Sequence, residues 1–415
     1  MVNFIDDIRL ILEYIQSHWK NTIRFKPDDK DSLLGLPHPY TVPSQNEPTM
    51  QIFFYWDTYF TNIGLIKHGF HNLAKNNADN LLYLVKKYGY IPNGNRTFFL
   101  NRSQTPYLSL IIKEIFENSP DFQWLRSAFE IWKEEYAFWM NKRLTPIGLN
   151  RHFHHSSDKE MVEFWEDVKK RLIFKPKNQG EILKISNHYI AEAETGWDFT
   201  PRFETRCADF VPVDLNSLLF MSEINAAYFC EILKIAEQEL WLQRAEQRKQ
   251  LMNQYCWNQG QGMYYDYDFV NQHHSHVASL ATFLPLWANI ASTAQADSVV
   301  ENLSRFEYDY GVSVCENSHQ TITYQWDYPN GWPPIFYITI AGLRKYGYLD
   351  PARRIAEKYL KICIKNFKET GDLWEKYNVI DGSIHVKNEY KMPAMMGWTA
   401  GVFVYCANFL EPKVS

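Results

Sequence analysis

No Cys-x-x-Cys pair occurs in this sequence; its six cysteines, Cys207, Cys230, Cys256, Cys315, Cys363 and Cys406, are scattered. That spacing argues against a disulfide framework or a zinc site and for small buried hydrophobes in a reducing compartment. Positive charge is not in surplus. With a formal charge of -5 and a pI near 6.2, the chain lacks the basic stripe that neutralises a nucleic-acid backbone. Short basic runs such as Lys169-Lys170-Arg171 read as a solvated helix face. No glycine-rich phosphate loop or nucleotide fingerprint precedes a helix. The most apolar run, 277–291, is too short to span a bilayer and contains Pro285. Asp6 and Asp7 stand where a secretion signal carries positive charge. The expectation is a soluble cytoplasmic protein that engages neither nucleic acid nor membrane. Although 415 residues exceed the usual domain size, no linker divides them, so 1–415 is expected to form a single catalytic domain.

What is present is helical periodicity. Phe4, Ile8, Ile11, Leu12 and Ile15 open the chain at helical spacing. Further helices are predicted through residue 66 and over 72–88, 104–118, 121–142, 159–172, 214–236, 238–256, 335–346, 351–368 and 398–410, with 276–305 broken near Pro285. Pro37, Pro39, Pro43 and Pro48 forbid helix over 34–48. Alternation over 262–269 permits a short strand pair. The class is therefore all-α. Aromatic residues make up 16% of the chain, and the densest aromatic and polar clusters fall between helices, at 55–59, 91–104, 192–203, 324–334 and 374–398. Loops that carry chemistry on a rigid scaffold behave this way.

Tyr324-Gln-Trp-Asp-Tyr-Pro-Asn-Gly-Trp-Pro-Pro334 joins three prolines and an Asn-Gly turn to two tryptophans, a carboxylate and an amide. It reads as an ordered loop with flat apolar faces and polar tips, a surface that suits a sugar ring. Trp326 and Trp332 supply faces, Gln325 and Asp327 hydrogen bonds or loop bracing. Asn93, Arg102 and Gln104 can bracket vicinal hydroxyls, or form a surface turn with a helix cap at Ser103. Asp57, beside Tyr55 and Trp56, has the alternative of a helix cap. Asp198 lies between Trp197 and Phe199 after Gly196, where desolvation raises a carboxyl pKa and suits it to donate a proton; the alternative is a structural bridge to Arg202. Glu375, flanked by Trp374 and Tyr377, is the second carboxylate that glycoside hydrolysis requires. His152, His154 and His155, like His273, His274 and His276, show no recognised metal spacing with a partner acid or cysteine, and metal binding is set aside.

Together these segments resemble the trehalase family of inverting α-glycosidases. Gln325-Trp-Asp-Tyr-Pro-Asn-Gly-Trp-Pro-Pro334 is similar to a family signature. The segments at 36–43, Tyr55-Trp-Asp-Thr-Tyr59, 91–104, Glu194-Thr-Gly-Trp-Asp-Phe199, 213–219, Glu375-Lys-Tyr377, Glu389-Tyr390 and Gly397-Trp398 follow in family order. The resemblance implies a toroid of six α-helical hairpins, Asp198 as general acid, Glu375 as general base, a small sugar substrate contacted also by Glu389 and Trp398, and no metal or organic cofactor. It implies nothing about oligomeric state. The departures are that 44–51 contains no arginine, Ile52 replaces a family glutamate, and a second family arginine has no match in 158–167. The leading expectation is hydrolysis of α,α-trehalose to two glucose molecules. The first alternative is another small α-glycoside such as glucosylglycerate or mannosylglycerate, with Arg102, Arg151 and Arg202 as candidates to meet its carboxylate. The second is a non-catalytic sugar-binding protein on the same scaffold.

Overall fold

In the computed structural model, residues 2–172, 174–318, 324–386 and 392–411 are described, with side chains from Phe4 onward. The helices are α1 (Val2–His18), α2 (Tyr55–Lys67), α3 (His71–Tyr88), α4 (Leu108–Asn118), α5 (Phe122–Lys142), α6 (Asp158–Val168), α7 (Gln179–Thr195), α8 (Val213–Leu233), α9 (Gln238–Tyr255), α10 (Leu284–Trp287), α11 (Thr293–Glu301), α12 (Pro333–Lys345), α13 (Leu349–Thr370) and α14 (Gly397–Leu410). Helices α2, α4, α8, α10, α12 and α14 each pack on the next, and α14 returns to α2, closing an inner ring. Outside it α3 packs on α2, α5 on α4, α9 on α8, α13 on α12 and α1 on α14. This is the expected α/α toroid.

Sequence explains which helix goes where. α12 buries every residue from Pro333 to Leu343, as a helix surrounded by others must. α13 buries Ala352, Ile355, Ala356, Tyr359, Leu360, Ile362 and Cys363 at three- and four-residue steps, the single stripe of an outer helix. The closest ring contact, α2 against α14, runs through Gly64 and Gly401: a Cβ on Gly401 would stand 1.9 Å from the Phe60 carbonyl oxygen. One apolar cluster extends from Ile11 to Cys406.

Three features differ from the sequence reading. Helix α7 was not expected. Asn178 caps it by accepting from the Glu181 amide, and Gly196 ends it in left-handed backbone, φ 79°. It pairs with α6 as an insertion between α5 and α8. The residues of 262–269 do not pair with one another: Met263–Tyr264 pairs with Trp257–Asn258, and Tyr267–Asp268 with both Phe210–Val211 and His273–His274. Finally, 276–305 yields only the short α10 and α11 with 3-10 turns around them.

Candidate active site

The segments leading into α2, α4, α8, α12 and α14 converge at the N-terminal end of the inner ring around a cavity of about 230 Å³. It is not the largest concavity. A groove of about 660 Å³ between α5, α8 and α9 exceeds it, but only the smaller one gathers the expected chemistry. Trp56, Asp57, Asn93, Arg102, Gln104, Gly196, Asp198, Gln325, Trp326, Trp332, Glu375 and Trp398 all line it.

The aromatic wall is a continuous stack. Trp326 lies on Trp332 with centroids 3.9 Å apart and planes 8° from parallel, and Trp197 backs Trp326 from outside the cavity, ring centres 5.6 Å apart. Trp56 packs near Trp326 and Trp398. The loop before α12 is braced from within: the Gln325 carbonyl accepts from Asn330 Nδ2 at 2.8 Å and from Trp332 Nε1 at 3.2 Å, and Asp327 Oδ1 accepts from the Tyr328 amide at 2.7 Å. Asp327 is thus a bracing group, and burial pushes its pKa up to about 7.

The two proposed catalytic carboxyls sit in different surroundings. Burial raises the Asp198 pKa, Arg171 and Arg102 pull it back, and Glu375 adds to the rise. Glu375 accepts a 2.6 Å bond from Lys376 Nζ, an ammonium that also lies 4.4 Å over the Trp332 ring. The Glu375 carbonyl takes the Trp398 indole N–H at 3.1 Å, which fixes its backbone. A third carboxyl, Asp57, is held well above its ordinary pKa by burial and then by Glu375. It lies within the first turn of α2, so it is not the cap. Arg102 donates to Asn101 Oδ1 at 2.9 Å, and its buried Nε has no partner among the described residues, leaving a donor for a sugar hydroxyl or water. Burial lowers the Arg102 pKa to about 10, which keeps it charged at neutral pH. Gln104 Oε1 accepts from the Trp56 amide and Asn93 Nδ2 donates to the Ala193 carbonyl, so both also tie loops together.

Several expected residues do different work. Arg202 does not bridge Asp198: it is fully buried between Asp214 and Asp266, bonding both bidentately at 2.8–3.1 Å. Trp197 lies beneath that guanidinium, whose carbon is 4.2 Å from the ring centre, behind the wall rather than on it. The Tyr55 hydroxyl donates to Glu135 at 2.6 Å and accepts from the Leu108 amide, away from the cavity. Arg151 binds the Ala208 carbonyl outside the site. Ser103 caps no helix; its hydroxyl donates to the Ile91 carbonyl. Glu389 lies outside the described residues.

Two residues that matter were missed. Arg171, read as part of a solvated basic run, lines the cavity, lies 4.2 Å over the Phe199 ring and donates to Gln325 Oε1 at 3.3 Å. Glu194, at the end of α7, binds Arg143 at 2.8 and 2.7 Å, His152 Nδ1 at 3.3 Å, and the amides of Ser103 and Phe153. Burial opposes its ionisation, but Arg143 and His152 hold it far below the usual glutamate range. It clasps three segments just ahead of Asp198. His152 thereby serves a carboxylate.

The trehalase family profile matches residues 4–411. A periplasmic trehalase from Xanthomonas campestris pv. campestris is 32% identical over 420 residues, covering 95% of this chain and 72% of the relative. The neutral trehalase Nth1 from Saccharomyces cerevisiae superposes with a TM-score of 0.78 at 26% identity, over 96% of this chain and 80% of that one. A GH63 mannosylglycerate hydrolase from Thermus thermophilus shares the fold, with a TM-score of 0.64 at 15% identity over 96% and 99% of the two chains. The cytoplasmic location expected from the sequence does not stand, because the Xanthomonas relative matched over nearly the whole chain is a periplasmic enzyme. All six thiols are free and buried, so their state does not report the compartment. Signature loops, ring of helices and extent of the match agree that this chain belongs to the trehalase family.

Proposed function

We propose that this chain, working as a single catalytic domain, hydrolyses α,α-trehalose to two glucose molecules with inversion. Asp198 donates its proton to the glycosidic oxygen as that bond breaks, while Glu375 takes a proton from the water that attacks the anomeric carbon from the opposite face. After the step Asp198 is ionised and Glu375 protonated, and exchange with solvent resets both. The observation that carries the reading is the meeting of Asp198 and Glu375, from segments 177 positions apart, in one tryptophan-walled cavity. Asp198 is free of Arg202 and carries a raised pKa, as a proton donor needs. Arg102, Gln104, Asn93, Asp57 and Gln325 supply polar groups around the sugar, and the tryptophans its apolar face.

Asp198→Asn and Glu375→Gln test the roles. Each is expected to lower kcat on trehalose by at least about a thousandfold with an unchanged circular dichroism spectrum. Wild-type turnover in either variant rejects the assignment. A substrate panel tests specificity: glucose released from trehalose supports the proposal, whereas turnover of glucosylglycerate with none of trehalose overturns it.

A further inference from the structure

The strand Tyr267–Asp268 is flanked by Phe210–Val211 and His273–His274, forming a three-stranded patch outside the catalytic cavity. Beside it runs the turn that follows Asp198, with Glu204 in left-handed backbone at φ 51°. One ligand-type atom from each of Glu204, His273 and His276 lies within 4.8 Å of the other two. The two imidazoles are parallel, 6° apart with centroids separated by 5.2 Å, and His276 Nε2 is 3.9 Å from Glu204 Oε1. His273 Nδ1 donates to the His274 carbonyl at 2.8 Å, which leaves Nε2 as the nitrogen that can ligate and orients the ring as metal-binding histidines are oriented. The surrounding charge favours a cation. Arg206 binds Asp268 and Asp209 and stands 3.9 Å from the other Glu204 oxygen, so one guanidinium faces three carboxylates. Asp268 Oδ2 is also 3.5 Å from His273 Nε2, a second acid at the histidine.

We propose that Glu204, His273 and His276 form a surface site for a divalent transition ion of the zinc type. Two imidazoles and one carboxylate are a borderline-soft donor set that prefers zinc, nickel or copper over magnesium or calcium. Donors at roughly 2.0–2.2 Å from one ion lie about 3.4 Å apart, so the cluster contracts by about an ångström on binding. His276, with 79% of its side chain exposed, is free to make that movement. Solvent completes the coordination sphere. The ion pins the turn after Asp198 to the hairpin, a junction already carrying the 2.6 Å bond from Ser275 Oγ to the Arg202 carbonyl. Glu204 lies 69 residues upstream of His273, outside any recognised metal-ligand spacing, and only the fold closes that separation.

Tag-free protein titrated with zinc chloride in a calorimeter, with thermal melts in zinc or magnesium chloride, tests the site. The expected result is one zinc per chain and a saturable rise in Tm with zinc but not magnesium. His276→Ala, at an exposed position, is expected to keep the metal-free Tm and lose both effects, and Glu204→Gln to weaken binding at least tenfold. Buried thiols do not compete. No zinc uptake by the wild-type protein, or unchanged uptake in both variants, overturns the proposal.

Discussion

In the proposed mechanism Asp198 must hold a proton until the glycosidic bond breaks, and its neighbours set how far in pH that condition extends. Burial raises its pKa, and Arg171 is the foremost group pulling it back down. Replacing Arg171 by glutamine removes a charge that favours the ionised form, so the Asp198 pKa rises further and the acid stays protonated to higher pH. The alkaline limb of kcat/KM on trehalose is therefore expected to move upward. A pH profile of the variant checks this; a limb that stays or moves down contradicts the placement of Arg171 beside the acid. Arg171 also illustrates what a sequence conceals. Within Lys169-Lys170-Arg171 all three residues look alike, and only the turn after α6 separates the exposed lysines from the arginine facing the cavity. Arg202 is the converse case. It stands four residues from Asp198, but its true partners are Asp214 and Asp266, 12 and 64 residues further on.

Among elements, the contact of α2 with α14 and the clasp at the end of α7 hold the loops in register. A methyl group on Gly401 meets the backbone of Phe60, which cannot rotate away as a side chain could. Gly401→Ala is expected to cost about 3 kcal/mol, read as a lower denaturation midpoint with an unchanged slope. A midpoint within error of wild type contradicts the close approach. Glu194→Gln leaves the Arg143 guanidinium buried without its counter-charge, and a loss of roughly 3–5 kcal/mol is expected. The ionised Glu194 has a pKa below its unfolded value, so its contribution is present above the ordinary glutamate range and is lost only on strong acidification. The wild-type and Glu194→Gln midpoints should accordingly converge as pH falls below about 4. The helix that carries Glu194 was hard to read because the polar Ser186, His188, Glu192 and Glu194 occupy its buried positions. Its Asn178 cap and closing Gly196 were the signals available.

For the whole molecule, the inner ring places five loop segments at one end, which is how carboxyls from Glu194-Thr-Gly-Trp-Asp-Phe199 and Glu375-Lys-Tyr377 come to share a cavity. Most of the helices were legible because an outer helix such as α13 carries one apolar stripe and an inner one such as α12 is apolar all round. The signature loop at 324–334 was legible because its prolines and Asn-Gly exclude helix. What could not be read were the partners set by distance in sequence: Glu194 with Arg143 and His152, and Glu204 with His273 and His276.

Proton NMR of the first turnovers on α,α-trehalose tests the central claim most directly, because it reports substrate and stereochemistry together. Attack by water opposite the leaving group inverts one anomeric carbon and leaves the other untouched. Equal amounts of α- and β-glucose are expected before mutarotation. Release of the α-anomer alone, or no glucose at all, contradicts the account.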